Sequence, residues 1–600
     1  MSFFLCQFLC AQNDSIIKLS EVSISDVQLK KFSNSQSVLQ LNDSIIRKNA
    51  VSLTGLLNYN SVVYFKENGL GMVSSPSFRG TTAQQTAVIW NGININSQFN
   101  GQTDFNTIST KDFNSVSVKA GGGSSIYGSS AIGGSIHLNN DLSFYKRFDN
   151  TLQLAYGSFN TFNGNYTLQA SGEKFSSQIG FSKNSSDNDY RYLNTSQKNE
   201  NGQFHNTSFN SNLAYKINGN NVLKFYSYLF DGKRHFSGTL AGPSRSKYED
   251  LNTRNLLEWM STFSKFTSKV KAAYLTERYK YFENATLNNF NTAKANTLIA
   301  RYDLSYKINP DMEWNGIVEY NQTKGIGEEI GNNTRQIGSG VLLLKHSPFK
   351  KLLYEVSVRK ELTDDYKSPV LYSLGTNYSL TDFYKIKVNG SKNFRIPTFN
   401  DLYWQGSGNK DLKPESSHQV EVGNDFRFKH FGFSVTGYYI KIKDLLRWTP
   451  GTGGNWTPSN VANVSTYGLE ILANASRKFR QNEFRLNGTY AYTVSRDEEK
   501  EKQLVYVPFH KFTASLAWSN KNISAHYQYL YNGKVFTTSD NFYKIDDYLV
   551  SNIGADYGFG KKKFLQIGFE VRNVFNESYQ SLDPRPMPGR NYAVSLIFNY

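Results

Sequence analysis

From Asp141 to the last residue the chain keeps one pattern, short runs in which apolar and polar residues alternate, and few folds satisfy it. In one run Ile523, Ala525, Tyr527, Tyr529 and Tyr531 alternate with Ser524, His526, Gln528 and Leu530. In another, Phe484, Leu486, Gly488, Tyr490 and Tyr492 alternate with Arg485, Asn487, Thr489 and Ala491. A period of two puts successive side chains on opposite faces, so each run reads as a β-strand with one apolar and one largely polar face. A water-soluble sandwich and a membrane barrel both produce this alternation. At the end of the sequence Tyr592, Val594, Leu596, Phe598 and Tyr600 form one more such apolar face. The 43 Phe, 39 Tyr and 7 Trp sit in a chain only 39% hydrophobic, so the aromatics are not accompanied by aliphatic helical cores. No run beyond the N-terminus approaches the roughly 18 apolar residues of a spanning helix.

The segment before Asp141 is different. Its short β-rich runs, such as Thr86 to Trp90 and Ser115 to Lys119, are punctuated by Asn91-Gly92 and by Gly121, Gly122 and Gly123, which predicts a small mixed domain with tight turns. A phosphate-cradling loop is the functional competitor, but no Gly-Lys-Ser/Thr follows these glycines. The order of motifs is Ser77-Phe78-Arg79-Gly80, Val88-Ile89-Trp90-Asn91-Gly92, Val116-Ser117-Val118-Lys119-Ala120-Gly121 and Tyr127-Gly128-Ser129-Ser130-Ala131-Ile132-Gly133-Gly134. That succession resembles the plug domain of TonB-dependent outer-membrane transporters. Phe394-Arg395-Ile396-Pro397-Thr398, Asn409 to Glu415, Pro508 to Lys511, Asn573 to Asn576 and Pro588 to Tyr592 are similar to barrel signatures of the same family.

The resemblance implies a transmembrane β-barrel of about 22 antiparallel strands, its lumen filled by an N-terminal mixed α/β plug. Residues 141–600 then allow about 21 residues per strand with its connections, against the about 9 to 11 that a membrane strand needs. The expected division is a signal peptide over 1–12, a periplasmic segment over 13–30, the plug over 31–140 and the barrel over 141–600. The apolar segment Met1 to Ala11 lacks a basic n-region but reads as the end of a secretory signal. It holds the two cysteines, Cys6 and Cys10, so its removal leaves no disulfide framework or thiolate metal site. Lipidation at Cys10 is disfavoured by Gln7-Phe8-Leu9, which lacks the small residues that signal prefers.

By the same resemblance, Leu19, Ser20, Glu21, Val22, Ser23 and Ile24 match a TonB box, an extended piece that adds as a strand to the TonB protein of an inner-membrane energising complex. An ordinary first plug strand has the same appearance. The function implied is active import of a scarce, large ligand, with the outward plug loops carrying part of its site. Those loops offer Ser74, Ser75, Asn94, Asn96, Ser97, Gln98, Phe99 and Asn100, while Arg79, Gly80, Asn91, Gly92, Tyr127, Gly128, Gly133 and Gly134 are expected to be structural.

The compact length and the Asp104-containing turn after Asn94 to Gly101 resemble the cobalamin branch of the family more than its larger glycan importers, with ferric siderophore and haem receptors as alternatives. The eight histidines are scattered without a close pair, so no haem clamp is visible. Asp187 and Asp189 are weak calcium candidates, since a hard cation wants six to eight oxygen ligands and no twelve-residue calcium loop is present. No other cofactor is expected. The net charge of +17 is spread along the whole chain, which fits lipopolysaccharide and lipid better than nucleic acid. A surface lipoprotein is a further candidate partner. A barrel enzyme would need a Gly-x-Ser-x-Gly or His-Glu-x-x-His motif that the chain lacks, and a passive porin or adhesin leaves the plug motifs unexplained.

Overall fold

The computed structural model describes residues 22–23, 26–450, 455–560 and 563–600. The wall is a closed antiparallel barrel of 22 strands, from Arg147–Gly157 to Asn591–Asn599. Its last strand pairs with its first, Asn599 opposite Thr151 and Ala593 opposite Gly157, so no edge is left open. Closure is what a hydrocarbon surrounding demands, because an unpaired backbone amide there has no water to bond.

Alternation sorts the side chains. In the last strand Tyr592 and Val594 face outward, and in the strand Asn482–Asp497 Phe484 and Leu486 do the same. The inward faces carry buried polar groups such as Asn165, Ser182, Asn206, Ser208, Asn210 and Asn212. The strand Asn221–His235 breaks the rule. There Tyr226, Tyr228 and Phe230 point inward and join the plug's apolar core, while Leu223, Phe225 and Leu229 point out. One end of the barrel carries tight turns, as at Ser264-Lys265 and Pro310-Asp311. The other carries long connections, including residues 187–203, 396–414 and 573–590. Both Arg147 and Tyr600 lie at the tight-turn end.

Inside sits a five-stranded sheet in the order Val38–Asn42, Ser115–Ala120, Gly134–Asn139, Thr86–Trp90, Ile93–Asn94. Only the pairing of Thr86–Trp90 with Gly134–Asn139 is parallel. Asn91 and Gly92, with φ of 47° and 86°, form the two-residue turn into the edge strand. A hairpin turn of this twist needs positive φ at both positions, which is why the sequence has Asn-Gly there. The Asn91 carboxamide also accepts from the Asn140 amide at 2.9 Å, tying the turn to the end of the neighbouring parallel strand. Gly133 and Gly134 are required by close approach: a Cβ on Gly134 would lie 2.2 Å from the Phe78 ring, and one on Gly133 2.3 Å from Thr81 Oγ1.

Candidate functional site

Polar contacts tie the plug to the wall in the middle of the lumen and at the long-loop end, and a third cluster, near the tight-turn end, joins parts of the plug segment to one another. In the middle, Arg79 and Gly80 both take positive φ, and this bend sends the Arg79 side chain to the wall. Its Nη1 donates to Glu421 at 2.5 Å, and its Nη2 and Nε donate to Glu470 at 2.8 and 3.0 Å. The guanidinium lies 4.4 Å above the Tyr438 ring and is fully buried. Two carboxylates around one guanidinium form a fork-shaped joint that a point-charge ammonium does not reproduce.

Near the tight-turn end, Asp26 caps the helix Val27–Lys31 by accepting from the Leu29 amide at 3.1 Å. Its carboxylate also meets His137 Nδ1 at 2.7 Å and accepts from the Tyr127 hydroxyl at 3.2 Å. His137 Nε2 is 2.8 Å from Ser135 Oγ. Burial works against the Asp26 charge, but the His137 contact and the Leu29 amide outweigh it and hold the carboxyl below its ordinary range. The Asp–His–Ser sequence of contacts is fully enclosed, so it is a joint rather than a nucleophile open to substrate. Just upstream, Val22–Ser23 pairs antiparallel with Leu142–Ser143. Of the candidate TonB box, only those two residues are described; Leu19, Ser20, Glu21 and Ile24 lie outside the described residues.

At the long-loop end the plug segment Asn94 to Asp104 and the wall form a cup of about 210 Å³. Its plug side presents Asn94, Asn96, Ser97, Gln98, Asn100, Gln102 and Asp104. Its wall side presents Arg234, Tyr248, Asp250, Arg254 and Glu277. Arg234 bridges the halves, bonded to Asp104 of the plug and, at 3.0 Å, to Asp250 of the wall. Glu277 accepts from Ser97 Oγ at 2.5 Å and from the Gln98 amide at 3.0 Å. The cup is therefore rich in amides and hydroxyls; of its two arginines, Arg234 is paired with two acids, while Arg254 lies 5.0 Å over the Tyr228 ring with its Nη1 buried and unbonded among the described residues.

The sequence-derived residues divide by position. Asn94, Ser97, Gln98 and Asn100 line the cup. Asn96 lines it too, but is buried and spends its carboxamide on Val88, Thr86 and Gly101, fixing the loop. Phe99, 2% exposed, packs edge-on to Tyr279 at 5.3 Å among Phe399, Ala295 and Ile330, so its ring anchors the loop to the wall instead of facing the cup. Ser74 and Ser75 lie outside the cup, bonded to Thr54 and Gln102. Asp187 accepts from Asn160 at 2.5 Å in an outer turn. Among the described residues no group of three or more His, Cys, Asp or Glu side chains is gathered for a metal. The wall residues of the cup were not found from sequence, because an inward polar residue on one strand does not reveal which plug loop it meets. The barrel signatures do converge: Arg395 lies 2.9 Å from Glu415 and 3.5 Å from Asp401, whose carboxylate accepts from the amide of Thr398, the N-cap of the helix Phe399–Tyr403.

Comparison with known proteins places this architecture. Residues 139–574 match the family described as "TonB dependent receptor-like, beta-barrel", and residues 30–135 match "TonB-dependent Receptor Plug Domain". The chain belongs to the TonB-dependent receptor family. This receptor is therefore an outer-membrane transporter. Vitamin B12 transporter BtuB of Photobacterium profundum is 24% identical over 577 residues, covering 92% of this chain and 90% of that protein. The protein of the same name from Vibrio vulnificus (strain YJ016) is 24% identical over 591 residues, covering 94% and 93%. Solved structures share the fold: the siderophore receptor PirA from Acinetobacter baumannii superposes with a TM-score of 0.79 at 14% identity, covering 96% of this chain and 99% of that one. The ferric yersiniabactin uptake receptor FyuA from Yersinia pestis gives 0.79 at 14% identity, covering 95% and 99%.

Proposed function

We propose that this receptor imports a cobalamin, binding it in the outer cup and passing it inward with energy delivered by TonB. The observation that carries this reading is the chemistry of the cup. Amide and hydroxyl groups dominate its lining, and Arg234 is neutralised by Asp104 and Asp250. A corrinoid presents a rim of neutral carboxamides, which pair with such groups as donors and acceptors. The near full-length relationship to two vitamin B12 transporters agrees with it. A ferric siderophore is the second reading, supported by the fold shared with PirA and FyuA. A strongly anionic chelate would meet three carboxylates in the cup, those of Asp104, Asp250 and Glu277, against the two guanidiniums of Arg234 and Arg254, and this excess of acid is the reason cobalamin stands first.

The coupling segment in this reading is Leu19 to Ile24. Its Val22–Ser23 part pairs with Leu142–Ser143, a ladder of two residue pairs among the described residues, which a competing strand from TonB replaces. Receptor-deficient cells carrying the intact gene, or one lacking Leu19 to Ile24, are tested for surface binding and uptake of labelled cobalamin. The expected result is binding in both and uptake only with the intact gene. Failure of the intact receptor to bind cobalamin discards that ligand and leaves the siderophore reading.

A further inference from the structure

Between the edge of the plug sheet and the wall lies a second polar chamber that the cup does not explain. Ile93–Asn94 is the outermost strand of the sheet, and beside it Tyr127 to Ser130 and the wall enclose about 130 Å³. The chamber adjoins the cup, since Asn94, Ser97, Gln98 and Thr297 line both. Four guanidiniums face it, those of Arg301, Arg335, Arg359 and Arg395, against the carboxylates of Glu319 and Glu361. Each of the four arginine side chains is 5% exposed or less.

Three of these cations are balanced by nearby acids. Arg301 lies 3.4 Å from Glu319, Arg359 2.8 Å from Glu361 and Arg395 2.9 Å from Glu415. Arg335 is not balanced in this way. Its acid is Asp365, 3.9 Å from Nε and beyond hydrogen-bond reach. Its Nη2 donates to the Pro397 carbonyl at 2.8 Å, and its guanidinium stands 5.1 Å over the Phe399 ring. The Nε atoms of Arg301, Arg335 and Arg395 are buried without a hydrogen-bond partner among the described residues. Arginine does not shed its proton, so burial cannot neutralise it, and an uncompensated buried charge is costly. What relieves this arrangement is an anion that takes several N–H donors at once.

We infer that the chamber is an anion-binding way station for one tetrahedral oxyanion of the phosphate type, and that during transport it receives the phosphodiester of the ligand as that ligand leaves the cup. The second half of this inference rests on the cobalamin reading; the anion site itself does not. The route it marks runs past the edge strand of the plug, where no sheet neighbour has to be displaced on that side.

The test uses the intact, detergent-solubilised receptor and its variants Arg335→Gln and Arg335→Lys. Thermal unfolding is followed while sodium phosphate replaces sodium chloride at constant ionic strength. A bound anion stabilises the folded state in proportion to its occupancy, so phosphate is expected to raise the Tm of the wild type saturably, to do so weakly or not at all in Arg335→Gln, and to do so again in Arg335→Lys. No gain in the wild type, or an equal gain in Arg335→Gln, overturns the site. In cells, uptake of cyanocobalamin is compared with that of dicyanocobinamide, which keeps the amide rim but lacks the phosphodiester. Arg335→Gln is expected to lower the cobalamin-to-cobinamide uptake ratio about tenfold, the loss of one charge-assisted contact. An unchanged ratio overturns the transport role. Phosphate stabilisation through Arg335 in a receptor that takes up neither corrinoid upholds the anion site and overturns the cobalamin reading.

Discussion

Glu67 ends the plug hairpin strand Tyr64–Glu67, buried, with the Asn106 carboxamide donating to it at 3.2 Å. Burial, aided by the nearby Asp104 charge and opposed by the Asn106 bond, lifts its carboxyl to about 7. An acid whose pKa is raised on folding favours the unfolded state once it ionises there, so the penalty begins above about 4.5 and is complete above about 7. Glu67→Gln is expected to slow amide hydrogen exchange in this hairpin at pH 8, by roughly 1–3 kcal/mol of opening free energy, and to change little at pH 4. Asp26 has the opposite sign. Its lowered pKa supplies stability at neutral pH that fades as pH falls below about 4 through the folded value, and Asp26→Asn is expected to abolish that acid-dependent part of the exchange profile. Arg79→Gln leaves Glu421 and Glu470 buried without their cation, at a cost of roughly 3–5 kcal/mol. Limited proteolysis of the plug reads this loss, and Arg79→Lys is expected to recover only part of it because an ammonium cannot present the same fork. At this scale the sequence was legible for Asn91 and Gly92, whose roles follow from backbone angles, and illegible for Phe99. A ring in a polar loop looks like a ligand platform until the apolar wall pocket around Phe399 and Ile330 is known.

Strands were the most legible elements, since the two-residue period is a local property of the chain. Both runs read from sequence, around Phe484 and Ile523, are wall strands, Asn482–Asp497 and Ile523–Asn532. What alternation does not report is which inward residues meet the plug. Tyr226, Tyr228 and Phe230 look like a lipid-facing row, yet they seal the lumen against Phe113 and its neighbours, with Phe113 stacked on Tyr228 at 6.1 Å. The cup escaped notice for the same reason, since Arg234, Asp250 and Glu277 come from three different strands and converge only through their register. In the plug sheet, Gly134→Ala pushes a methyl against Phe78 and the Lys119 carbonyl, which lie 2.2 and 2.6 Å from the added carbon. Overpacking of that kind costs typically about 1–3 kcal/mol. The expected outcome is a receptor with an intact barrel, judged by its heat-modifiable mobility on gels, and a plug that is cleaved readily by added protease.

For the whole molecule, uniformity of pattern announced a long run of strands, while the barrel, its strand number and the membrane followed from the resemblance of the plug and barrel motifs to the family, and the wall does have 22 strands. Removal of residues 591–600 is expected to eliminate the heat-modifiable barrel entirely, because it strips the ladder partners of both Leu565–Arg572 and Arg147–Gly157. That seam also fixes an order of events. The plug precedes the wall in the chain and is made before it, yet the wall becomes a ring only when Asn591–Asn599 meets Arg147–Gly157. Glu421 and Glu470, which Arg79 needs, belong to the wall. The part of the chain born first therefore finishes last, and it must cross the periplasm with its buried charges still unanswered. A cell that makes this receptor consequently has to shelter an unfinished plug for as long as the barrel takes to close.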